Sequence, residues 1–150
     1  IYGIEQPLFS EKEILHMRDV KGLFKLVGRA QEISGVIIVT YIAFGILSLR
    51  KGFISRMIRT LWKSSIISLL GFILIGVTLI VAFPVIFVTF HELSFSNDFW
   101  LLDPRTDKLV QLFPAGFWAD ATMLLAITSI FETILIAATS YFLIHKTPGR

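Results

Sequence analysis

Three histidines, His16, His91 and His145, are the side chains of this 150-residue chain best suited to moving protons near neutral pH. An imidazole beside a carboxylate is a common acid/base arrangement. His16 lies one helical turn before Asp19, and His91 directly precedes Glu92. The chain has no cysteine, which excludes a disulfide framework, a thiol nucleophile and a thiolate metal site. The candidate chemistry is therefore proton transfer by imidazoles.

A metal site is the first alternative, because imidazole and carboxylate ligands suit zinc or manganese. The spacing does not support it. The sequence contains no His-Glu-x-x-His motif, and adjacent residues such as His91 and Glu92 point in different directions on a regular helix or strand. It also contains neither a Gly-x-Ser-x-Gly elbow nor a glycine-rich phosphate loop. We therefore expect no metal site and no cofactor.

Residues 91–120 are a polar and varied segment between two long apolar runs. Charges alternate there with large apolar side chains, which is typical of a segment that folds at a membrane interface, where tryptophan is favoured. The sequence Asp103-Pro104-Arg105 predicts a turn. Arg105 would pair with nearby aspartates or bind a phosphate or ester oxygen of a lipid. The candidate supporting residues are Asp19, Asp98, Trp100, Asp103, Arg105 and Asp107.

Hydropathy predicts an all-α membrane protein, because 55% of the residues are hydrophobic and the mean hydropathy is +0.76. Residues 33–49 and 64–90 carry no charge, and residues 121–144 carry only Glu132, so each run is long enough to cross a bilayer. Pro84 should end or kink the second span about a turn before His91. We expect three transmembrane helices in a single membrane domain over residues 1–150.

Residues 10–29 predict an amphipathic helix along the membrane surface. Ser10 and Glu13 have the spacing of a capping box, and apolar residues follow at helical intervals.

Charge placement predicts the topology. The inner segments, residues 50–63 and the C-terminal end, carry seven lysines and arginines and no acidic residue. Residues 1–32 and 91–120 carry seven basic and ten acidic residues. By the positive-inside rule, 50–63 is a cytoplasmic loop and 91–120 an extracytoplasmic loop. This topology places His16 and His91 on the same outer face, which makes 91–120 the candidate active-site loop. The net charge of +3 then reflects topology, and no nucleic-acid partner is expected.

The same topology places residue 1 outside the cytoplasm. Because the sequence starts at Ile1, we expect one preceding helix, which gives four spans in the full protein.

Two further polar residues stand apart from this segment. His145 follows the last apolar run and precedes Lys146, where it suits a helix C-terminus, and we expect no catalytic role for it. Glu132 within a span is a functional candidate by position. A protonated Glu132 hydrogen-bonded to a neighbouring Ser or Thr is the structural alternative, and we favour it.

The strings SEKEILHMRDVKGLF and HELSFSNDFWLLDPRTDKLVQLFPAGFWAD resemble the lipoprotein intramolecular transacylase (Lit) family of small integral membrane proteins of Gram-positive bacteria. The resemblance extends over both strings and the order of the spans. The TD-x-L-x-x-LFP sequence is its most specific part, and we expect the first of the family's four helices to precede Ile1.

The resemblance implies a multi-pass plasma-membrane acyltransferase with an extracytoplasmic active site, whose partners are membrane lipids and a diacylated lipoprotein. The sn-2 acyl chain of the diacylglyceryl group would move to the α-amine of the N-terminal cysteine, forming the lyso-form lipoprotein. The histidines associated with catalysis in the family correspond to His16 and His91. Two alternatives stay open: a non-catalytic scaffold with an extracytoplasmic docking loop, and a metal-dependent lipid hydrolase.

Overall fold

The computed structural model describes residues 7–49 and 52–146, and the described chain is helical without strands. Its helices are α1 (Glu11–Leu49), α2 (Phe53–Ser94), α3 (Lys108–Leu112) and α4 (Ala115–Lys146). Three of them, α1, α2 and α4, are long and apolar enough to cross a membrane. Most of their apolar side chains are exposed, as expected for surfaces that face lipid. The predicted all-α fold with three membrane helices is confirmed.

The chain forms two compact units. One comprises Ile1–Gln31 and Ala82–Ala121, and the other comprises Glu32–Val81 and Thr122–Arg150. Both candidate histidines, His16 and His91, belong to the first unit. The expectation of a single membrane domain stays a prediction.

Helix α1 is continuous through residues 30–32, where the sequence predicts a boundary between a surface helix and a span. The residues there, Ala30, Gln31 and Glu32, are good helix formers, and no proline interrupts them. The change from amphipathic to apolar composition therefore indicates a change in the surroundings of the helix. It does not interrupt the helical backbone. Residues 11–32 are the charged part of α1, and the uncharged part begins at Ile33.

Helix α1 begins with the predicted capping box. Its reciprocal hydrogen bonds run from the Ser10 backbone N to Glu13 Oε2 (2.7 Å) and from the Glu13 backbone N to Ser10 Oγ (3.3 Å). The sequence therefore locates the beginning of α1 correctly.

Helix α2 begins earlier and ends later than the predicted span of 64–90. Residues 53–63, assigned to a cytoplasmic loop from their charge, are helical, because lysine and arginine favour helix as well as water. Residues 50 and 51, also assigned to that loop, lie outside the described residues. The helix kinks at Ala82 (φ −127°, ψ 22°), two residues before Pro84. Proline removes a backbone donor and displaces the preceding turn, so a kink is confirmed. It lies nine residues before His91, about two and a half turns, which is farther than the one turn expected.

Tight packing and an unusual backbone conformation mark the start of α2. Phe53 is 3% exposed, and its ring lies against Gly45 so closely that a Cβ at Gly45 would overlap the ring. Gly52, directly before α2, has φ +77°, a conformation that favours glycine. Gly45 and Gly52 therefore allow α2 to begin here.

Gly45→Ala is expected to destabilise the protein, because the Phe53 ring must move to admit a methyl group. Overpacking of this kind costs about 1–3 kcal/mol. Thermal unfolding in detergent measures the effect. The matched control is Gly71→Ala, since a Cβ at Gly71 meets no atom within 4 Å and alanine favours helix. Equal melting temperatures for the two variants would contradict the packing described.

Candidate active site

The two histidines predicted to share a face lie together. Their ring centroids are 5.9 Å apart, and each residue is 8% exposed. His16 belongs to the charged part of α1, and His91 belongs to the last turn of α2, beyond the Pro84 kink. We call these two residues the histidine pair. The arrangement brings together residues that are 75 positions apart, half the length of the chain.

A hydrogen bond fixes the ring of His91. Its Nδ1 lies 2.6 Å from the Phe87 carbonyl oxygen, one turn earlier on α2. A carbonyl oxygen only accepts, so Nδ1 must carry the proton and donate. In the neutral ring, Nε2 then keeps its lone pair. The position near a helix C-terminus therefore selects the tautomer.

His16 differs from His91 because its Nδ1 is buried without a hydrogen-bond partner in the described part of the chain. Burial lowers the pKa of His16, and the neighbouring His91 lowers it further, while the Asp19 carboxylate partly opposes both. His16 is therefore neutral at pH 7. A buried polar atom without a partner is costly to stability, which is unusual for a residue with a structural role alone.

Aromatic rings enclose the pair. The ring centroid of His91 lies 4.4 Å from that of Phe87, 5.1 Å from that of Trp100 and 5.7 Å from that of Phe95. Phe95 also contacts His16 edge-on, with 5.3 Å between centroids. Phe87, His91 and Phe95 follow at intervals of four residues, the spacing of one helix face. These rings limit the access of water to the imidazoles.

The chain between α2 and α4, residues 95–114, is here called the connecting segment, and α1 holds it by hydrogen bonds. Asn97 Nδ2 donates to Asp19 Oδ2 (2.9 Å), and Asn97 Oδ1 accepts from the Phe99 backbone N (3.0 Å). Lys12 Nζ donates to the Leu101 carbonyl oxygen. Sequence reasoning did not identify Asn97, which carries no charge or motif.

Glu13 makes the most buried of these contacts, with 2% of the residue exposed. Glu13 closes the capping box through Oε2. Its other oxygen, Oε1, accepts from the Leu109 backbone N (2.6 Å), in the first turn of α3. Burial raises the pKa of Glu13, but hydrogen bonds from the Leu109 and Ser10 backbones and other donors outweigh it, so the pKa is below its ordinary value. Sequence reasoning assigned Glu13 only to the cap. Its spacing of three residues from His16 was the available signal.

The other predicted supporting residues are used mainly by the connecting segment itself. Arg105 is 86% exposed and forms a salt bridge with Asp103 (Nη2 to Oδ2, 2.7 Å), which lowers the pKa of Asp103. Asp107 Oδ2 accepts from the Asp103 backbone N (2.7 Å). Arg105 thus pairs with an aspartate, the first of the two roles considered for it. Asp98 is exposed.

A cavity of about 340 Å³ lies between α1 and the start of the connecting segment. Asp19, Asn97 and Phe95 line it, together with Arg18 and Leu23. Phe95 also contacts both imidazole rings, so the cavity and the histidine pair share this residue, although neither histidine lines the cavity.

The remaining polar candidates lie elsewhere. His145 Nδ1 donates to the Tyr141 carbonyl oxygen (2.9 Å) on an exposed helix end, the role expected from its position. Glu132 is exposed on α4, and the neighbouring Thr133 hydroxyl donates to the Ser129 carbonyl oxygen (2.7 Å).

In the described residues no three histidines, aspartates or glutamates lie together as a metal site requires. The metal-dependent alternative therefore gains no ligand set here.

The lowered pKa of His16 makes folding depend on pH. An unfolded histidine, with a pKa near 6.5, binds a proton more readily than folded His16. The free energy of unfolding therefore falls as the pH decreases below about 6.5, and it levels off below the lowered pKa.

NMR titration of the His16 ring should give a midpoint below 6.5. His91→Gln removes the neighbouring imidazole and is expected to raise the midpoint, whereas Asp19→Asn removes a carboxylate and should lower it. His145→Gln is the control and should leave the midpoint unchanged. A wild-type midpoint at or above 6.5 would contradict the burial of His16.

Sequence comparison relates the chain to known proteins. An uncharacterized protein of Aquifex aeolicus (strain VF5) is 25% identical over 131 residues, which cover 87% of this chain and 56% of that protein. The chain thus spans about half the length of this relative. No solved structure matches significantly. The family described as lipoprotein intramolecular transacylase Lit matches over residues 4–118, a range that includes His16 and His91. This match covers most of the chain, which therefore belongs to the Lit family.

Proposed function

We propose that the protein moves the sn-2 acyl chain of a diacylglyceryl lipoprotein to the α-amine of the same N-terminal cysteine. The product is the lyso-form, with an N-acyl group and an S-monoacylglyceryl group. The observation that carries the proposal is the buried histidine pair inside the region that matches the Lit family. The charge distribution supports an extracytoplasmic site.

His91 is the general base in this proposal. With Nδ1–H donated to the Phe87 carbonyl, Nε2 is the atom that accepts a proton from the substrate ammonium. An α-amino group has an ordinary pKa of about 7.7 to 8.0, so an imidazole removes its proton without an extreme shift. The Phe87 carbonyl and the face of Trp100 then stabilise the imidazolium.

His16 acts on the oxygen side of the reaction. As a neutral imidazole it donates a hydrogen bond to the tetrahedral oxyanion or to the departing glyceryl oxygen. Its lowered pKa suits this role, because two neighbouring imidazoles do not readily carry two positive charges. The pair therefore carries at most one positive charge during transfer, from the one proton that it takes from the substrate.

The bond changes balance without a second substrate. The amine nitrogen attacks the ester carbonyl carbon, and the bond from that carbon to the sn-2 oxygen breaks. One proton goes to the glyceryl oxygen, which becomes a hydroxyl, and a substrate that starts as an ammonium releases one proton to water. Amine and ester belong to one molecule, so holding them at attack distance supplies much of the rate.

The aromatic surroundings favour the amine over water. Phe87, Phe95 and Trp100 shield the histidine pair, and exclusion of water suppresses hydrolysis of the ester. Asp19, held by Asn97 beside His16, is placed to attract the substrate ammonium. These contacts support a transacylase whose enzyme side chains need not form a covalent intermediate.

The test uses a diacylated lipopeptide and the protein reconstituted into liposomes. Acyl migration leaves the substrate mass unchanged, and tandem fragmentation locates the acyl chain on nitrogen. His16→Ala and His91→Ala should each lower the rate by about 10²- to 10⁴-fold, the usual contribution of general acid/base catalysis. His145→Ala is the matched control and should retain the wild-type rate.

Three results would contradict the proposal. Loss of mass from the lipopeptide would indicate a hydrolase. An unchanged lipopeptide with folded wild-type protein would favour a scaffold. Full transfer by folded His16→Ala and His91→Ala variants would remove the site assignment.

A further inference from the structure

Glu13 is buried more completely than its role at the start of α1 requires. A capping-box glutamate needs one oxygen near the backbone N–H of the capping residue, and such a side chain is commonly solvated. Glu13 is instead 2% exposed, and it uses its second oxygen on Leu109, 96 residues away. Burying a carboxylate is costly unless its hydrogen bonds are made. The second hydrogen bond therefore points to a role beyond the cap.

The carboxylate of Glu13 joins two helix beginnings. Oε2 accepts from the Ser10 backbone N at the start of α1, and Oε1 accepts from the Leu109 backbone N in the first turn of α3. Both helix N-termini carry partial positive charge, which a carboxylate complements. Glutamine would supply only one oxygen, and its amide N–H groups would face a backbone donor. A charged group of this length is thus required for both contacts.

The Glu13 side chain is connected to His16 along α1 and to His91 through the connecting segment. Along α1, His16 follows Glu13 by three residues, so the two side chains share a helix face. Along the connecting segment, Leu109 lies nine residues after Trp100, whose ring lies 5.1 Å from that of His91. Lys12 holds the Leu101 carbonyl directly after Trp100. Residues 12 and 13 therefore fix the part of the connecting segment that covers His91.

We propose that Glu13 is a positioning residue for the histidine pair, holding the connecting segment on α1 so that Trp100 and His91 stay aligned with His16. This inference rests on the proposed transacylase function. Glu13 acts through Leu109 and does not contact the substrate. Its loss displaces the two imidazoles relative to each other, and small displacements from productive geometry are costly to catalysis.

The experiment compares Glu13→Gln with the wild-type protein in liposomes. Glu13→Gln should lower kcat for acyl transfer by about tenfold to hundredfold, with little change in KM. Water admitted beside His16 should also move its NMR titration midpoint upward toward 6.5. A purely structural role would lower stability without changing either quantity in the folded fraction.

Ser10→Ala is the matched control. It removes the hydroxyl that accepts from the Glu13 backbone N but leaves the bond between Glu13 and Leu109. It weakens the same helix beginning, and its kcat and His16 midpoint should stay at wild-type values. Equal effects of Ser10→Ala and Glu13→Gln would overturn the proposal, because capping alone would then explain them.

Leu109→Pro provides a second variant in case Glu13→Gln does not fold. Proline removes the backbone donor to Glu13, and it is tolerated in the first turn of a helix. The same fall in kcat and rise of the His16 midpoint are expected. Wild-type values of both in either folded variant would overturn the positioning role. The midpoint needs no substrate, so it tests Glu13 even if the wild-type protein transfers no acyl chain.

Discussion

Attachment of the connecting segment to the first turns of α1 is the constraint on which the site depends. Glu13, His16 and Asp19 are spaced three residues apart, and each contacts a different part of the chain that follows α2. Two of these contacts are hydrogen bonds to carboxylates, and charge-assisted bonds of this kind are stronger than neutral ones. Without them, His16 would be an ordinary residue on an amphipathic helix. With them, it is enclosed beside His91.

Different physical causes set the state of each imidazole. The Phe87 carbonyl selects the tautomer of His91, whereas burial keeps His16 neutral. His145 shows that the bond to a carbonyl four residues earlier is not distinctive by itself, since it makes the same bond on an exposed helix end. Burial beside a second imidazole distinguishes His91 from His145. Acid/base function thus depends on the aromatic enclosure as much as on residue type.

The features predicted correctly from the sequence are those that depend on interactions between residues close together in the chain. The capping box at Ser10, the kink before Pro84 and the three apolar helices follow from patterns within a few residues. Helices α1 and α2 extend beyond the predicted spans, because charge indicates what surrounds a helix, whereas backbone propensity decides where the helix ends. Charged residues such as Glu32 and Lys63 continue a helix readily.

Long-range contacts were the least predictable part of the site. Charge placement put both histidines on one side of the predicted membrane, but nothing local to Glu13 indicates a bond to Leu109, whose backbone N–H has no sequence signature. Asn97 was overlooked for the same reason. Arg105 had the residue type of an anion-binding site, yet it forms a salt bridge with Asp103 two residues earlier.

The central claim is that a buried histidine pair moves an acyl chain within one substrate molecule. A crossover experiment tests it directly, using one lipopeptide with a ¹³C-labelled sn-2 acyl chain and another with a ¹⁵N-labelled peptide. Intramolecular transfer predicts N-acyl products that keep the starting combinations, with ¹³C and ¹⁵N in separate molecules. Products that carry both labels would contradict the account, because the acyl chain would then have passed between molecules.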